Sequence, residues 1–137
     1  MSQTANSNDV VSVAVTFELD GQSVTATPGE TIWQVAKRTG TDIPHLCYAH
    51  EPGYRADGNC RACMVEIDGE GALAASCIRE PTPGMKVSSL SLRAEKARKM
   101  VFEMLLADQP KRAVAHQHDS TFWHWSQHLD LTDSRMP

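Results

Sequence analysis

At 137 residues and 15.1 kDa the chain has room for one domain and a tail, and a core of that size folds without disulfide staples. Its 13 basic and 17 acidic residues leave a formal charge of −4, which argues against a nucleic-acid footprint built from clustered Lys and Arg. A hydrophobic share of 41% with 22% charged is globular composition, no apolar run is long enough for a membrane span, and the polar opening MSQTANSNDV is neither a signal nor a transit peptide, so the expected location is the cytoplasm.

Residues 1–9 read as a disordered lead. Val11, Val13, Val15 and Phe17 then alternate as in a half-buried strand, Asp20-Gly21 is a two-residue hairpin signal, and QSVTATPG reads as the returning strand. Thr31 and Gln34 have capping-box spacing, Ile32, Val35 and Ala36 mark one helical face, and Gly40 suits a left-handed helix end. Residues 41–63 show no periodicity and read as a long functional loop. MVEIDG and ALAASC form a second strand pair, MKVSS a last short strand, and residues 91–110 a helix stopped by Pro110. Ala97, Met100, Val101, Met104 and Leu105 give that helix an apolar stripe. Residues 111–137 differ in composition, with four of the six histidines and two of the three tryptophans. Strands with a helix across one sheet face make an α+β domain over residues 10–90, extended by the helix and the tail.

In a reducing compartment the four cysteines, Cys47, Cys60, Cys63 and Cys77, stay free unless a metal or redox chemistry claims them. Intervals of twelve, two and thirteen residues give one close pair flanked by two isolated thiols. Structural zinc usually takes two close pairs. A [2Fe–2S] cluster spreads four thiolates over two irons, so ligands distributed along a wide loop suit it. Its net charge of about −2, and about −3 when reduced, calls for donors to sulfur. Backbone N–H groups around Gly53, Gly58 and residues 59–62 are candidates, with Arg55 and Arg61 as counter-charges or plain surface residues and Asp57 as a turn cap.

The run IPHLCYAHEPGYRADGNCRACMVEIDGEGALAASC, followed by GMKV, resembles the N-terminal [2Fe–2S] domain of a family with three settings. These are the large subunit of respiratory complex I, the diaphorase small subunit of NAD-reducing hydrogenases, and the large subunit of NAD-dependent molybdenum formate dehydrogenases. The resemblance covers about residues 12–110. It implies a plant-ferredoxin-like β-grasp and one [2Fe–2S] cluster ligated by Cys47, Cys60, Cys63 and Cys77, the first two on one iron and the last two on the other. No cysteine follows Cys77, so the [4Fe–4S] cluster that comes next in complex I has no ligands here. The stretch from His116 to Trp125 is more similar to formate dehydrogenase large subunits. That implies an electron-relay role between a molybdenum or tungsten site and flavin/NAD. The implied partners are a larger catalytic subunit with further iron–sulfur clusters and a flavin/NAD subunit. Met1 and the polar lead favour a separate subunit over a fragment of a longer chain.

The remaining histidines are weaker signals. His116 with His118, and His124 with His128 at i, i+4, have metal-ligand spacing but no completing carboxylate or cysteine. The segment is expected instead to be a docking tail, with Trp123 and Trp125 burying against a partner. His45 and His50 flank Cys47 as supporting or surface residues. Other readings are a free-standing soluble ferredoxin, the equivalent domain of a complex I or hydrogenase assembly, and a redox-silent zinc module. No catalytic triad, phosphate-cradling loop or dinucleotide fingerprint is present, so the chain itself is not expected to be an enzyme.

Overall fold

The computed structural model describes residues 14–47, 58–117 and 119–131. The expected lead, Val11, Val13, His50, Gly53, Arg55, Asp57 and His118 lie outside them.

Strand β1 (Val15–Leu19) pairs antiparallel with β2 (Gln22–Ala26), Val15 opposite Ala26 and Leu19 opposite Gln22. Asp20 and Gly21 close the hairpin at φ 52° and 83°, the left-handed pair that lets a two-residue turn follow the strand twist. The Asp20 carboxylate also accepts hydrogen bonds from the N–H and hydroxyl of Ser89, at 2.7 and 2.5 Å, so the hairpin tip is tied to the chain 69 residues on.

Helix α1 (Ile32–Thr39) starts with the expected reciprocal cap. The Thr31 hydroxyl accepts from the Gln34 N–H, and the Gln34 side chain accepts from the Thr31 N–H. Gly40, at φ 92°, ends it. Trp33 joins the buried face, and its Nε1–H donates to the Ile43 carbonyl at 3.0 Å.

Three short strands complete the sheet: β3 (Met64–Ile67), β4 (Ala74–Ala75) and β5 (Lys86–Ser88). The order is β2-β1-β5-β3-β4, with β1 and β5 parallel and the other neighbours antiparallel, as a β-grasp requires. The strand expected over ALAASC is reduced to two residues because the chain turns over residues 76–78, where the N–H groups of Ile78 and Arg79 donate back to the Ala75 carbonyl at 3.2 and 3.1 Å. Ser76 is held by its N–H and its hydroxyl on the Cys63 carbonyl, at 3.3 and 2.7 Å. Its own carbonyl accepts from the Trp33 N–H at 2.9 Å. Phe17, Ile32, Val35, Val65 and Val87 fill the main core, and Cys63 and Cys77 belong to the same cluster.

Helix α2 (Leu92–Ala107) starts at Ser91, whose hydroxyl accepts from the Ala94 N–H, and ends ahead of Pro110. Its inward face differs from the expected stripe. Ala94, Arg98, Phe102, Glu103 and Leu106 are buried, whereas Met104 is 54% exposed. The helix is turned so that Arg98 reaches two backbone carbonyls and Phe102 reaches the cysteine loop, a preference that hydrophobicity alone does not register.

The tail expectation also needs correcting. After a 3₁₀ turn (Arg112–Val114) the chain forms helix α3 (Thr121–His128) and folds back on the domain. Trp123 and Trp125 are each 6% exposed, buried within this chain and not left for a partner. Trp123 packs with Leu106 and Ala115, and Trp125 with Ala62 and Phe102. Phe122 stacks on Phe102 with ring centroids 5.8 Å apart. The indoles found apolar surface at hand because the outward-facing end of the cysteine loop and the C-terminal half of α2 have no sheet to cover them. Among the described residues, no helix is long and apolar enough to cross a membrane.

Candidate metal centre

Three segments bring the cysteines together. Cys47 ends the described part of the loop after α1, Cys60 and Cys63 precede β3, and Cys77 follows β4. The turn carrying Cys60 is built from left-handed residues, Gly58 at φ 68° and Arg61 at φ 61°. They fold the backbone so that the Ala62 N–H points back at the Cys60 sulfur, 3.4 Å away. The Cys47 N–H donates to the same sulfur at 3.4 Å, and the Cys77 N–H to the Cys63 sulfur at 3.4 Å. Arg61 itself is exposed.

The thiols therefore form two pairs, Cys47 with Cys60 and Cys63 with Cys77. The first pair is half-buried, whereas Cys63 and Cys77 are each 1% exposed. The pairs are close enough to act on one another. The thiol of Cys77 donates to Cys63 and, with the N–H groups of Cys77 and Ser76, draws the Cys63 pKa down to about 6 against the opposing effect of burial. Cys77 is raised by holding that proton and by burial, with the charges of Cys63, Cys47 and Cys60 adding to it. Burial also raises Cys60, while at Cys47 the opposing hydrogen bonds from Cys60 and from the Asn59 backbone outweigh burial and lower it. Thiols that resist joint deprotonation because their charges repel, with backbone donors aimed at two of the sulfurs, are a donor set that cationic metal would stabilise.

Around them, His45 sits edge-on between two indoles, 4.8 Å from Trp33 and 6.0 Å from Trp125 by ring centroids. Leu46 and Cys60 pack against Ala62, Phe102 and Trp125. His124 and His128 stack at 6.5 Å on the exposed side of α3. Sequence reasoning did not anticipate Trp33, His45 and Trp125 as one group. It also missed Arg98, which the sequence places between Lys96 and Lys99 in the charged half of the helix, with nothing local to set it apart.

Residues 12–91 match the model of a 2Fe-2S iron-sulfur cluster binding domain. The chain belongs to this [2Fe–2S] domain family. Among its relatives is the NADP-reducing hydrogenase subunit HndD of Solidesulfovibrio fructosivorans, 39% identical over 71% of this chain and 17% of that protein. Another is the mitochondrial NADH dehydrogenase [ubiquinone] iron-sulfur protein 1 of Solanum tuberosum, 38% identical over 77% of this chain and 13% of that protein. In the solved structures, a chain of an NAD+-reducing [NiFe]-hydrogenase superposes with a TM-score of 0.78 at 32% identity, over 90% of this chain and 52% of that one. The chain thus spans under a fifth of the length of these curated relatives. Its fold is the α+β, ferredoxin-like fold of the family, and its cofactor is a [2Fe–2S] cluster.

Proposed function

We propose that Cys47, Cys60, Cys63 and Cys77 ligate the [2Fe–2S] cluster and that the chain relays single electrons within an NAD-linked oxidoreductase complex. The observation that carries this is the arrangement of the thiols as two pairs with backbone N–H groups directed at sulfur. Two pairs suit two irons. One tetrahedral zinc would gather all four thiols on a single point. When bound, the cluster takes up and gives back one electron at a time.

The protein's part is to hold the ligands, shield them and leave one side near solvent. Cys63 and Cys77 anchor the buried side through the core, while the half-buried Cys47 and Cys60 bring the other side towards the surface for electron exchange. Trp125, Phe102 and Leu46 exclude water from the flank of Cys60.

Within the family, the formate dehydrogenase setting is the reading we favour, as a cytoplasmic subunit or domain. The segment from His116 to Trp125 supports it: there the chain lacks the cysteines of a second cluster and packs aromatic residues instead. Partners would be a molybdenum- or tungsten-bearing catalytic subunit and a flavin/NAD subunit. The test is to tag the chain in its own host, purify the assembly without oxygen and assay NAD+ reduction. Reduction driven by formate is expected. Reduction driven by hydrogen and not formate would move the chain to a hydrogenase, and NADH–quinone activity would move it to complex I.

A further inference from the structure

Arg98 lies in the middle of α2 and is 5% exposed. Its Nη1 donates to the Met64 carbonyl at 2.7 Å and its Nη2 to the Ser89 carbonyl at 2.5 Å, while Nε is buried without a hydrogen-bond partner. Among the described residues no carboxylate forms an ion pair with it, although Glu30, Glu66 and Glu70 pair with Arg38, Arg93 and Arg79. The acidic groups that act on Arg98 do so at longer range, namely Glu95 and Asp20, and the latter is committed to Ser89.

A buried guanidinium without a paired anion is expensive, because desolvation of the charge is only partly offset by carbonyl dipoles. A methionine would fill a similar volume without that cost. What favours the charge is an anion in the same low-dielectric region. The backbone supplies its location: Met64, whose carbonyl Arg98 holds, directly follows Cys63, itself 1% exposed. The Cys63 thiolate is among the charges that stabilise the Arg98 cation, against burial, which lowers its pKa. Arg remains protonated in proteins, so the charge is permanent.

We infer that Arg98 is the fixed buried counter-charge of the cluster, a positioning residue that raises its reduction potential by stabilising the added electron. The inference rests on the four cysteines being the ligands. Arg98 also links α2 to β3 and to the chain after β5, so the test must separate charge from latch.

The full chain is loaded anaerobically, its iron content measured, and the cluster titrated by EPR in wild type, Arg98→Met and Arg98→Lys. At the wild-type midpoint the reduced-to-oxidised ratio should fall about tenfold in Arg98→Met, equivalent to about 59 mV for one electron. Arg98→Lys, which keeps the charge, should stay within about threefold of wild type. A change below about threefold in Arg98→Met, or an equal shift in both variants, overturns the inference. If Arg98→Met does not fold, Arg98→Gln provides the neutral comparison and keeps one donor for the Met64 carbonyl. A wild-type chain that takes up no iron overturns the ligand assignment and this inference together. A loaded cluster with an unshifted potential overturns this inference alone.

Discussion

Gly58→Ala is the sharpest perturbation of the turn that presents Cys60. Gly58 has φ 68°, and placing a side chain in the left-handed region costs about 1–2 kcal/mol. The new Cβ would lie 2.8 Å from Ile78 Cδ1 and 3.3 Å from its Cγ1. Ile78 is 46% exposed, so its tip has somewhere to go. Moving it off its preferred rotamer adds about 0.5–1.5 kcal/mol. The expected total is about 1.5–3.5 kcal/mol, read from urea unfolding of the metal-free chain at constant m. Adding Ile78→Ala removes the clash but not the backbone strain. Measured against Ile78→Ala alone, Gly58→Ala should still cost about 1–2 kcal/mol. A single variant within about 0.5 kcal/mol of wild type would refute the reasoning, as would complete rescue in the double variant.

The tail offers a second test. Trp125→Ala should destabilise the chain by about 3–5 kcal/mol, seen in thermal or urea unfolding, and shorten the lifetime of the visible cluster absorbance in air, because Cys60 loses its cover. A tail that only docks to partners would leave both unchanged in the isolated chain. Thr31→Ala, by contrast, should cost about 1 kcal/mol through the lost cap of α1, in the same unfolding assay. The fourth concerns pH. The Arg38 guanidinium, donating to Glu30 at 2.8 Å, is the main cause holding that carboxyl below its ordinary pKa. Stability from this pair is present above the ordinary carboxylate pKa and is lost as pH falls through the lowered value. Urea midpoints of wild type should fall towards those of Glu30→Gln as the solution is acidified, and a constant gap between them would count against the pair.

How far the sequence reveals this molecule depends on which interactions it writes locally. The Asp20-Gly21 turn, the Thr31–Gln34 cap and the Gly40 helix end are short-range and appear where expected. The cysteine spacing sets one close pair between two isolated thiols, and in the structure each member of that pair takes one of the outer cysteines as its neighbour, Cys60 with Cys47 and Cys63 with Cys77. Long-range choices were not legible. Periodicity assigned α2 an apolar stripe including Met104, but the helix turns to satisfy the Met64 and Ser89 carbonyls with Arg98. The shortened β4 reflects the turn in which Ile78 and Arg79 donate back to the Ala75 carbonyl, which no alternation pattern encodes. Trp123 and Trp125 read as a docking segment because composition tells that indoles need a surface, not whose surface it is.

The central claim is the cluster and its four ligands. The direct measurement is iron and acid-labile sulfide analysis of the anaerobically purified full chain, with EPR after dithionite reduction. It should be made on wild type and on the four single Cys→Ser variants. The account predicts about two irons and two sulfides per chain with a half-spin signal in wild type, and loss or marked alteration of the signal in every variant. Stoichiometric zinc with no EPR signal, or an unaltered signal when any one of Cys47, Cys60, Cys63 or Cys77 is replaced, would contradict it.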